Sequence, residues 1–261
     1  MASRLDTSVP HPARRYNYWL GGKDNFAADR ESGDAVVKLF PSIRTAAVEN
    51  RYFLRRAVTL LAGELGIRQF LDIGTGLPTA DNTHEVAQRL APESRVVYVD
   101  NDPLVMVHAR ALLTAAPGAG PTDYIEADVR SPEHILQEAA KLLDFSRPIG
   151  LMLIAVLHFI ADDEDPYGIV RRLVDALPSG SYLVLSHSTG EFLAPEAVHA
   201  FRTGAIPVYL RRHDEIARFF DGLDVLEPGI ASISSWRAEH ERQPRPDESE
   251  TATDCAVARI P

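Results

Sequence analysis

Between Arg68 and Ser188 the chain alternates short apolar runs with segments whose apolar side chains recur every three or four residues. The runs Gln69–Ile73, Arg95–Val99, Asp123–Ala127, Ile149–Leu157 and Tyr182–Leu185 read as strands. Thr83–Leu90, Pro103–Leu113, Pro132–Leu143 and Tyr167–Leu177, lying between them, read as helices. Strands alternating with helices imply right-handed crossovers and a parallel sheet covered on both faces. The Ile149–Leu157 run carries no polar alternation, which is the pattern of a central strand buried on both sides.

The flanks read differently. Residues 1 to about 65 begin rich in Arg, Asn, Tyr and Gly and then become helical. Across Ala46–Glu64 the residues Val48, Tyr52, Leu54, Val58, Leu61 and Leu65 predict one buried face, with Gly66 as the stop. After Pro195 come two predicted helices, Pro195–Arg202 and His213–Phe220, then the runs Leu223–Leu226, Ser232–Trp236 and Ala256–Ile260. The 17 residues from Arg237 to Thr253 are mostly polar and include Pro244 and Pro246, so they predict a mobile loop. The runs on either side of that loop are expected to pair as an antiparallel hairpin at the sheet edge.

Composition narrows the class. With 261 residues, 45% hydrophobic, the chain can bury a large core and is not disordered. Its 37 acidic and 27 basic residues give a net charge of −10, which argues against a surface built to neutralise nucleic-acid phosphates. Arg51, Arg55 and Arg56 are candidates for a local basic patch, although on a surface helix such residues usually form a solvated face. The longest apolar run, Ile149 to Ala161, has 13 residues and contains His158, short of the roughly 20 that cross a bilayer. The first residues show no apolar signal core, so a cytoplasmic protein is expected. Cys255, alone, makes neither an intrachain disulfide nor a zinc site.

The chemistry concentrates in QFLDIGTGLPTADNTHEVAQ. A strand runs into Asp72, Gly74 and Gly76, and Asn82 and Glu85 supply a helix start further on. Thr79 stands where a dinucleotide fingerprint has its third glycine, and Pro78 delays the helix, so no diphosphate is expected at its N-terminus. The next strand ends in Asp100, 24 residues beyond Gly76, followed by Asn101. Such a carboxylate can accept both hydroxyls of a ribose. The third strand leads to Asp128 and Val129, which can read the amino group and ring edge of adenine. Three successive strand ends offering glycines, acid and acid describe a nucleoside pocket without phosphates.

These strands resemble the class I S-adenosylmethionine-dependent methyltransferases. The segments ARRYNYWLGGKDNFAADRE, ENRYFLRRAV, DIGTGLPTADNTHEVAQ and YVDNDPLV narrow the match to the actinobacterial S-adenosyl methyltransferase family, formerly a domain of unknown function. The resemblance implies an α/β, Rossmann-like fold with a seven-stranded, mostly parallel sheet whose last strand is antiparallel. Helices cover both faces. It implies S-adenosylmethionine as cofactor, bound by residues 66–261, with residues 1–65 a helical cap on the same unit. Position by position it places Asp72, Gly74 and Gly76 near the methionine and ribose portions, Asp100 and Asn101 at the ribose, and Asp128 and Val129 at the adenine. Ala155, at the end of the fourth strand, completes the cofactor side. That strand runs into Ala155–His158 rather than an Asn-Pro-Pro-Tyr motif, which argues against amino methylation of DNA.

The cofactor's carboxylate needs partners. Arg51, Asn50 and the backbone amides of Gly74–Leu77 are the candidates. Tyr16 to Lys23 groups aromatics with paired glycines, which suits either a lid over the cofactor or an anchor pinning the arm to the core. His158 is the candidate catalytic base, because strand carboxyl ends face the pocket and imidazole titrates near neutrality. His187 and Tyr16 follow. His84 with Glu85, and His199 with His213, lack ligand spacing, so no metal is expected. The acidic run Asp162–Asp165 reads as a solvated loop or a cation site. The expected partner is a small-molecule methyl acceptor, with no nucleic acid or membrane. A non-catalytic S-adenosylmethionine sensor and an NAD-dependent oxidoreductase remain as alternatives.

Overall fold

The computed structural model describes residues 5–112 and 119–261. Its strands are β1 (Gln69–Ile73), β2 (Arg95–Asp100), β3 (Thr122–Glu126), β4 (Gly150–Ile154), β5 (Tyr182–Ser188), β6 (Asp224–Val225), β7 (Ala231–Ser232) and β8 (Thr253–Arg259). The order is β3-β2-β1-β4-β5-β8-β6. The first five strands are parallel, and β8 runs antiparallel to β5. β6 pairs with Ala258 and Arg259 of β8, and β7 pairs with Asp254 and Cys255. The two short strands thus share one outer position of a sheet seven strands wide.

Alternation along each strand divides the core. Leu71, Ile73, Leu151, Leu153, Leu183 and Leu185 face one side, while Phe70, Met152, Val184 and Val257 face the other. Every residue of β1 and β4 is buried, as parallel strands covered by helices require.

The helices are α1 (Pro12–Trp19), α2 (Ala27–Leu39), α3 (Ile43–Thr59), α4 (Thr83–Leu90), α5 (Pro103–Leu112), α6 (Pro132–Ala139), α7 (Pro166–Asp175), α8 (Pro195–Thr203), α9 (His213–Ala217) and α10 (Glu248–Thr251). At the start of α4, Glu85 accepts from the Asn82 N–H at 2.8 Å, while the Asn82 side chain turns back to the Thr79 N–H. The predicted end of α5 at Leu113 lies outside the described residues.

Several expectations change in contact with the fold. β4 stops at Ile154, because Ala155 takes the left-handed φ of 55° and Leu157–Phe159 forms a tight 3₁₀ turn. The Ser232–Trp236 run leaves the sheet after Ser232, whose carbonyl accepts from the Ser235 and Trp236 N–H groups. That turn drives Trp236 edge-on into Phe53, with ring centroids 5.2 Å apart. The expected β7–β8 pairing is present, but β5 occupies the other side of β8, so β8 lies inside the sheet rather than at its edge. α3 begins earlier than predicted and ends in a widened π turn, Leu60–Glu64. It buries Ala46, Ala47, Phe53, Leu54, Ala57 and Val58, leaving Val48 and Leu65 exposed. Small side chains on that face let the helix lie close to the sheet.

The stretch expected to be a mobile loop, 237–253, is fastened to α3 instead. Glu241 accepts from Arg55 at 2.8 Å, Arg245 pairs with Glu49, and α10 packs on the same helix. Two of its charges, Glu241 and Arg245, read from composition as solvated, are spent on α3. Arg56 donates to the carbonyls of Trp236 and Ile233, so the basic cluster is largely internal.

The N-terminal helices carry a small core of their own, in which Trp19, Val36, Phe40, Ala46 and Ala47 meet Phe201, Val208 and Ala252. A buried ion network ties this cap to the sheet. Arg14 Nε lies 3.2 Å from Asp102 Oδ2 and 3.8 Å from Asp29 Oδ1, and all three side chains are 5% exposed or less. Asp29 also accepts from the N–H groups of His11 and Phe26, and Asp102 accepts from the Leu104 N–H at the start of α5. Removing one member of such a network strands its partners as uncompensated charges. Arg14→Ala is therefore expected to lower the unfolding free energy by about 3–5 kcal/mol in urea titration; a loss under about 1 kcal/mol would show that the network is dispensable.

Candidate active site

The strand order reverses between β1 and β4, which opens a crevice at the carboxyl ends of the parallel strands. A cavity of about 700 Å³ fills it, roofed by α1 and by the segment from Leu193 to Leu210. That volume lies within the range of small-molecule sites, about 300–1,000 Å³. The cavity wall brings together Tyr16, Arg51, Asp72, Gly74, Gly76, Asp100, Asn101, Asp128, Val129, Ala155 and His158. His187 lies outside it.

The loop after β1 is held by its own backbone. The Gly74 and Thr75 N–H groups both donate to the Val99 carbonyl, and the Gly76 N–H donates to Asp100 Oδ2 at 2.7 Å. Three of the four amides proposed for a ligand carboxylate are therefore occupied. Gly76 needs its missing side chain for a φ of 68°, whereas a Cβ at Gly74 would lie 2.7 Å from Val156.

Asp100 is fixed from two sides, since the Asp102 N–H donates to its other oxygen at 2.9 Å. Burial raises its carboxyl above the usual range, opposed by those two amides and by His11. Asp72 accepts from Thr83 Oγ1 at 2.6 Å, and burial pushes it up to about 6, opposed by that hydrogen bond and by Arg51. Asp128 accepts from Asn101 Nδ2 at 2.8 Å and from the Arg130 N–H, and its ion pair with Arg130 extends to Glu164. The Val129 N–H donates to no protein group among the described residues. Carboxylates at three strand ends, a free amide at the third and no cluster of basic side chains at the glycine loop suit a hydroxyl-bearing cationic nucleoside.

Asn50 proves to be an internal linker. Its side-chain oxygen accepts from Ser186 Oγ at 2.7 Å, Ser186 Oγ accepts from the Ala155 N–H, and Asn50 Nδ2 donates to the Tyr16 hydroxyl. Tyr16 in turn donates to the Ala47 carbonyl at 2.8 Å. Burial raises the Tyr16 pKa, so this phenol keeps its proton near neutrality. Of the paired aromatics, Trp19 is buried with its N–H on the Gly33 carbonyl, while Tyr18 pairs at the surface with Asp34. The segment is an anchored wall of the cavity in this structure. Arg51 donates to the carbonyls of Ala80 and Asp81.

The histidines depart from expectation. His158 reaches the cavity, but burial, reinforced by His187, Arg15 and Arg211, pushes its pKa well below the ordinary value. It does not titrate near neutrality; it is a neutral imidazole whose buried Nδ1 has no hydrogen-bond partner among the described residues. His187 is pushed down to about 3 by burial and Arg211. Arg211, which can only donate, lies 2.8 Å from its Nε2, and Nδ1 lies 2.8 Å from the Ser188 carbonyl. Its tautomer and role are therefore structural. The acidic run is also structural: Asp162 pairs with Arg211, Glu164 with Arg130, and Asp165 accepts from the Gly168 N–H at the start of α7.

Comparison with known proteins agrees with this geometry. A family model described as S-adenosyl methyltransferase matches residues 1–261. The crystal structure of a DUF574 family protein from Streptomyces avermitilis is 46% identical, covers 99% of this chain and 100% of its own, and superposes with a TM-score of 0.91. That of a provisionally assigned methyltransferase from Thermobifida fusca is 41% identical, covers 98% and 97%, and gives 0.90. Magnesium protoporphyrin IX methyltransferase from Synechocystis, at 14% identity, 95% and 93% coverage and a TM-score of 0.55, shares the fold. A search of curated proteins finds no match.

The His187 environment gives a signed pH dependence. Its folded pKa of about 3 lies below the ordinary 6.5, so the unfolded chain takes up a proton that the folded chain refuses. Stability should fall as pH drops below 6.5. Between pH 7 and pH 5 the loss due to this residue is about 2 kcal/mol. Urea titration of His187→Gln should show a pH dependence shallower by that amount; equal slopes would contradict a neutral, buried His187.

Proposed function

The chain belongs to the S-adenosyl methyltransferase family and is an S-adenosylmethionine-dependent methyltransferase, and from that premise we propose that it methylates a small molecule held beneath its N-terminal helices. One observation carries the proposal: a single cavity joins the strand-end carboxylates to an apolar chamber under the cap. When bound, S-adenosylmethionine supplies an electrophilic methyl group on a sulfonium whose positive charge disappears as the acceptor displaces sulfur in line.

The residues divide the work. Each oxygen of Asp100 accepts one backbone N–H and keeps a lone pair, so the carboxylate can receive both ribose hydroxyls without turning. Asp128 and the free Val129 N–H are placed to read the adenine edge. Asp72 serves the ammonium of the methionine end, and Arg51, already positioned by the 80–81 carbonyls, serves its carboxylate. Ala155 holds the strained turn that lets the wall pass close to the reacting centre.

Little covalent chemistry is asked of the protein. Holding the acceptor in line and excluding water can supply about 7–11 kcal/mol in favourable cases. The chamber next to His158 is walled largely by apolar side chains such as Phe159, Phe201 and Val208, and α1 roofs it, which suits exclusion of water. His158 lines the cavity as a neutral imidazole, so it is suited to accept a hydrogen bond from an acceptor hydroxyl and orient it during attack.

Calorimetry with S-adenosylhomocysteine tests the ribose contact: Asp100→Ala should weaken binding at least tenfold, about 1.4 kcal/mol. Unchanged affinity in a folded variant refutes the assignment. A second titration tests Asp72. An ammonium partner favours its ionised form, so binding below its pKa of about 6 must first expel a proton. Affinity should fall as pH drops from 7.5 to 5, approaching tenfold per unit at the acid end, and Asp72→Asn should abolish that slope. A wild-type affinity that stays flat across this range sinks the ammonium role.

A further inference from the structure

Arg15 lies in α1 one residue beyond the Arg14 that anchors the cap. It is only 3% exposed and lines the cavity. Its neighbour has two buried carboxylates; Arg15 has none among the described residues. Its hydrogen bond runs from Nη1 to Ser32 Oγ at a long 3.4 Å, and its buried Nε has no partner there. The guanidinium rests 5.0 Å from the Trp19 ring centroid, which offsets a part of its desolvation. Burial lowers its pKa to about 10 with no opposing charge, so it remains a cation at neutral pH. Buried charges in folded proteins are as a rule paired, because an isolated one loses hydration that nothing replaces.

The place of this cation in the cavity says what it is for. Arg51 acts electrostatically on Asp72, at the β1 end of the site. Arg15 acts on His158, at the β4 end, and its aromatic support Trp19 belongs to the apolar cluster of the cap. The chamber beyond His158 is walled by Phe40, Phe159, Leu193, Phe201, Ile206 and Val208. It offers an apolar body good packing, and Arg15 offers one planar, bidentate anion partner.

Resting on the methyltransferase reading above, we propose that Arg15 is a specificity residue for the acceptor, and that the acceptor is an apolar, aromatic-sized molecule carrying a carboxylate. The carboxylate seats on the guanidinium, the body fills the chamber, and the nucleophilic group lies at His158.

The test uses the full chain loaded with saturating S-adenosylhomocysteine and follows its melting temperature. Benzoate and 4-hydroxybenzoate should raise it, whereas benzamide and 4-hydroxybenzamide, of the same shape without the charge, should not. Arg15→Met should lose the carboxylate response while melting, ligand-free, no lower than wild type, since it removes an uncompensated charge. Carboxylates no better than their amides on the wild type would overturn the proposal, whatever the variant does. An undiminished carboxylate response in Arg15→Met would overturn it too. A third outcome reassigns the anion: if Arg15→Met binds S-adenosylhomocysteine at least tenfold more weakly but 5′-methylthioadenosine equally well, Arg15 holds the cofactor's own carboxylate. Failure of wild type to bind S-adenosylhomocysteine at all would instead strike the cofactor reading.

Discussion

The buried contact between Arg14 and Asp102 is the constraint from which the site follows. It joins the first helix of the chain to the end of β2, with Asp29 closing the network from α2. The same Asp102 whose side chain holds Arg14 uses its backbone N–H to fix Asp100 and its carboxylate to start α5. One residue therefore sets the cap position, the orientation of Asp100 and a crossover helix together. Ion pairs this deeply buried give little net stability over apolar packing, but they are costly to break from one side. Their effect here is positional: α1 becomes a wall of the cavity at a defined distance from the glycine loop.

Within that wall the electrostatics are sorted by depth. The carboxylates stand at the strand ends of β1 and β2 and just after β3, where a cationic, hydroxyl-rich ligand can satisfy them. Toward β4 and β5 the histidines are held neutral: His158 and His187 are both pushed down by burial and by neighbouring arginines. Methyl transfer from a sulfonium to an uncharged nucleophile moves positive charge toward the acceptor.

Much of this was legible in the sequence, for identifiable reasons. Strands buried on both faces announce themselves as apolar runs, so β1 to β5 were located to within a few residues. The strand-end acids were visible because the topology of an open parallel sheet dictates where such ends meet. What escaped depended on partners far away in the chain. The 237–253 stretch looked solvated because its Glu241 and Arg245 meet Arg55 and Glu49 only in the fold. His158 looked like an ordinary titrating imidazole because burial beside Arg15 and Arg211 has no local signature. α1 and α2 were missed because their buried faces carry Arg14, Arg15, Asn17 and Asp29, which read as surface. Asp102 did leave a trace, an aspartate directly before Pro103 at a helix start.

Hydrogen-bond groups around the cavity fall into spent and unspent sets, and the division separates scaffold from recognition. The Gly74, Thr75 and Gly76 amides are spent on the end of β2, and the Asn50, Ser186 and Tyr16 groups are spent on one another. These groups hold the shape and leave little capacity for a ligand. Unspent at the cavity wall are the Val129 N–H and the remaining lone pairs of Asp100. Groups left unspent where the cavity reaches them are the ones a ligand can engage, since buried polar groups in folded proteins are nearly all satisfied. On the reading proposed above, that set serves an adenine edge and a ribose, and the buried cation Arg15 stands in the same cavity. Arg15 comes from the N-terminal cap, so under that proposal the cap takes part in choosing the acceptor as well as in closing the site.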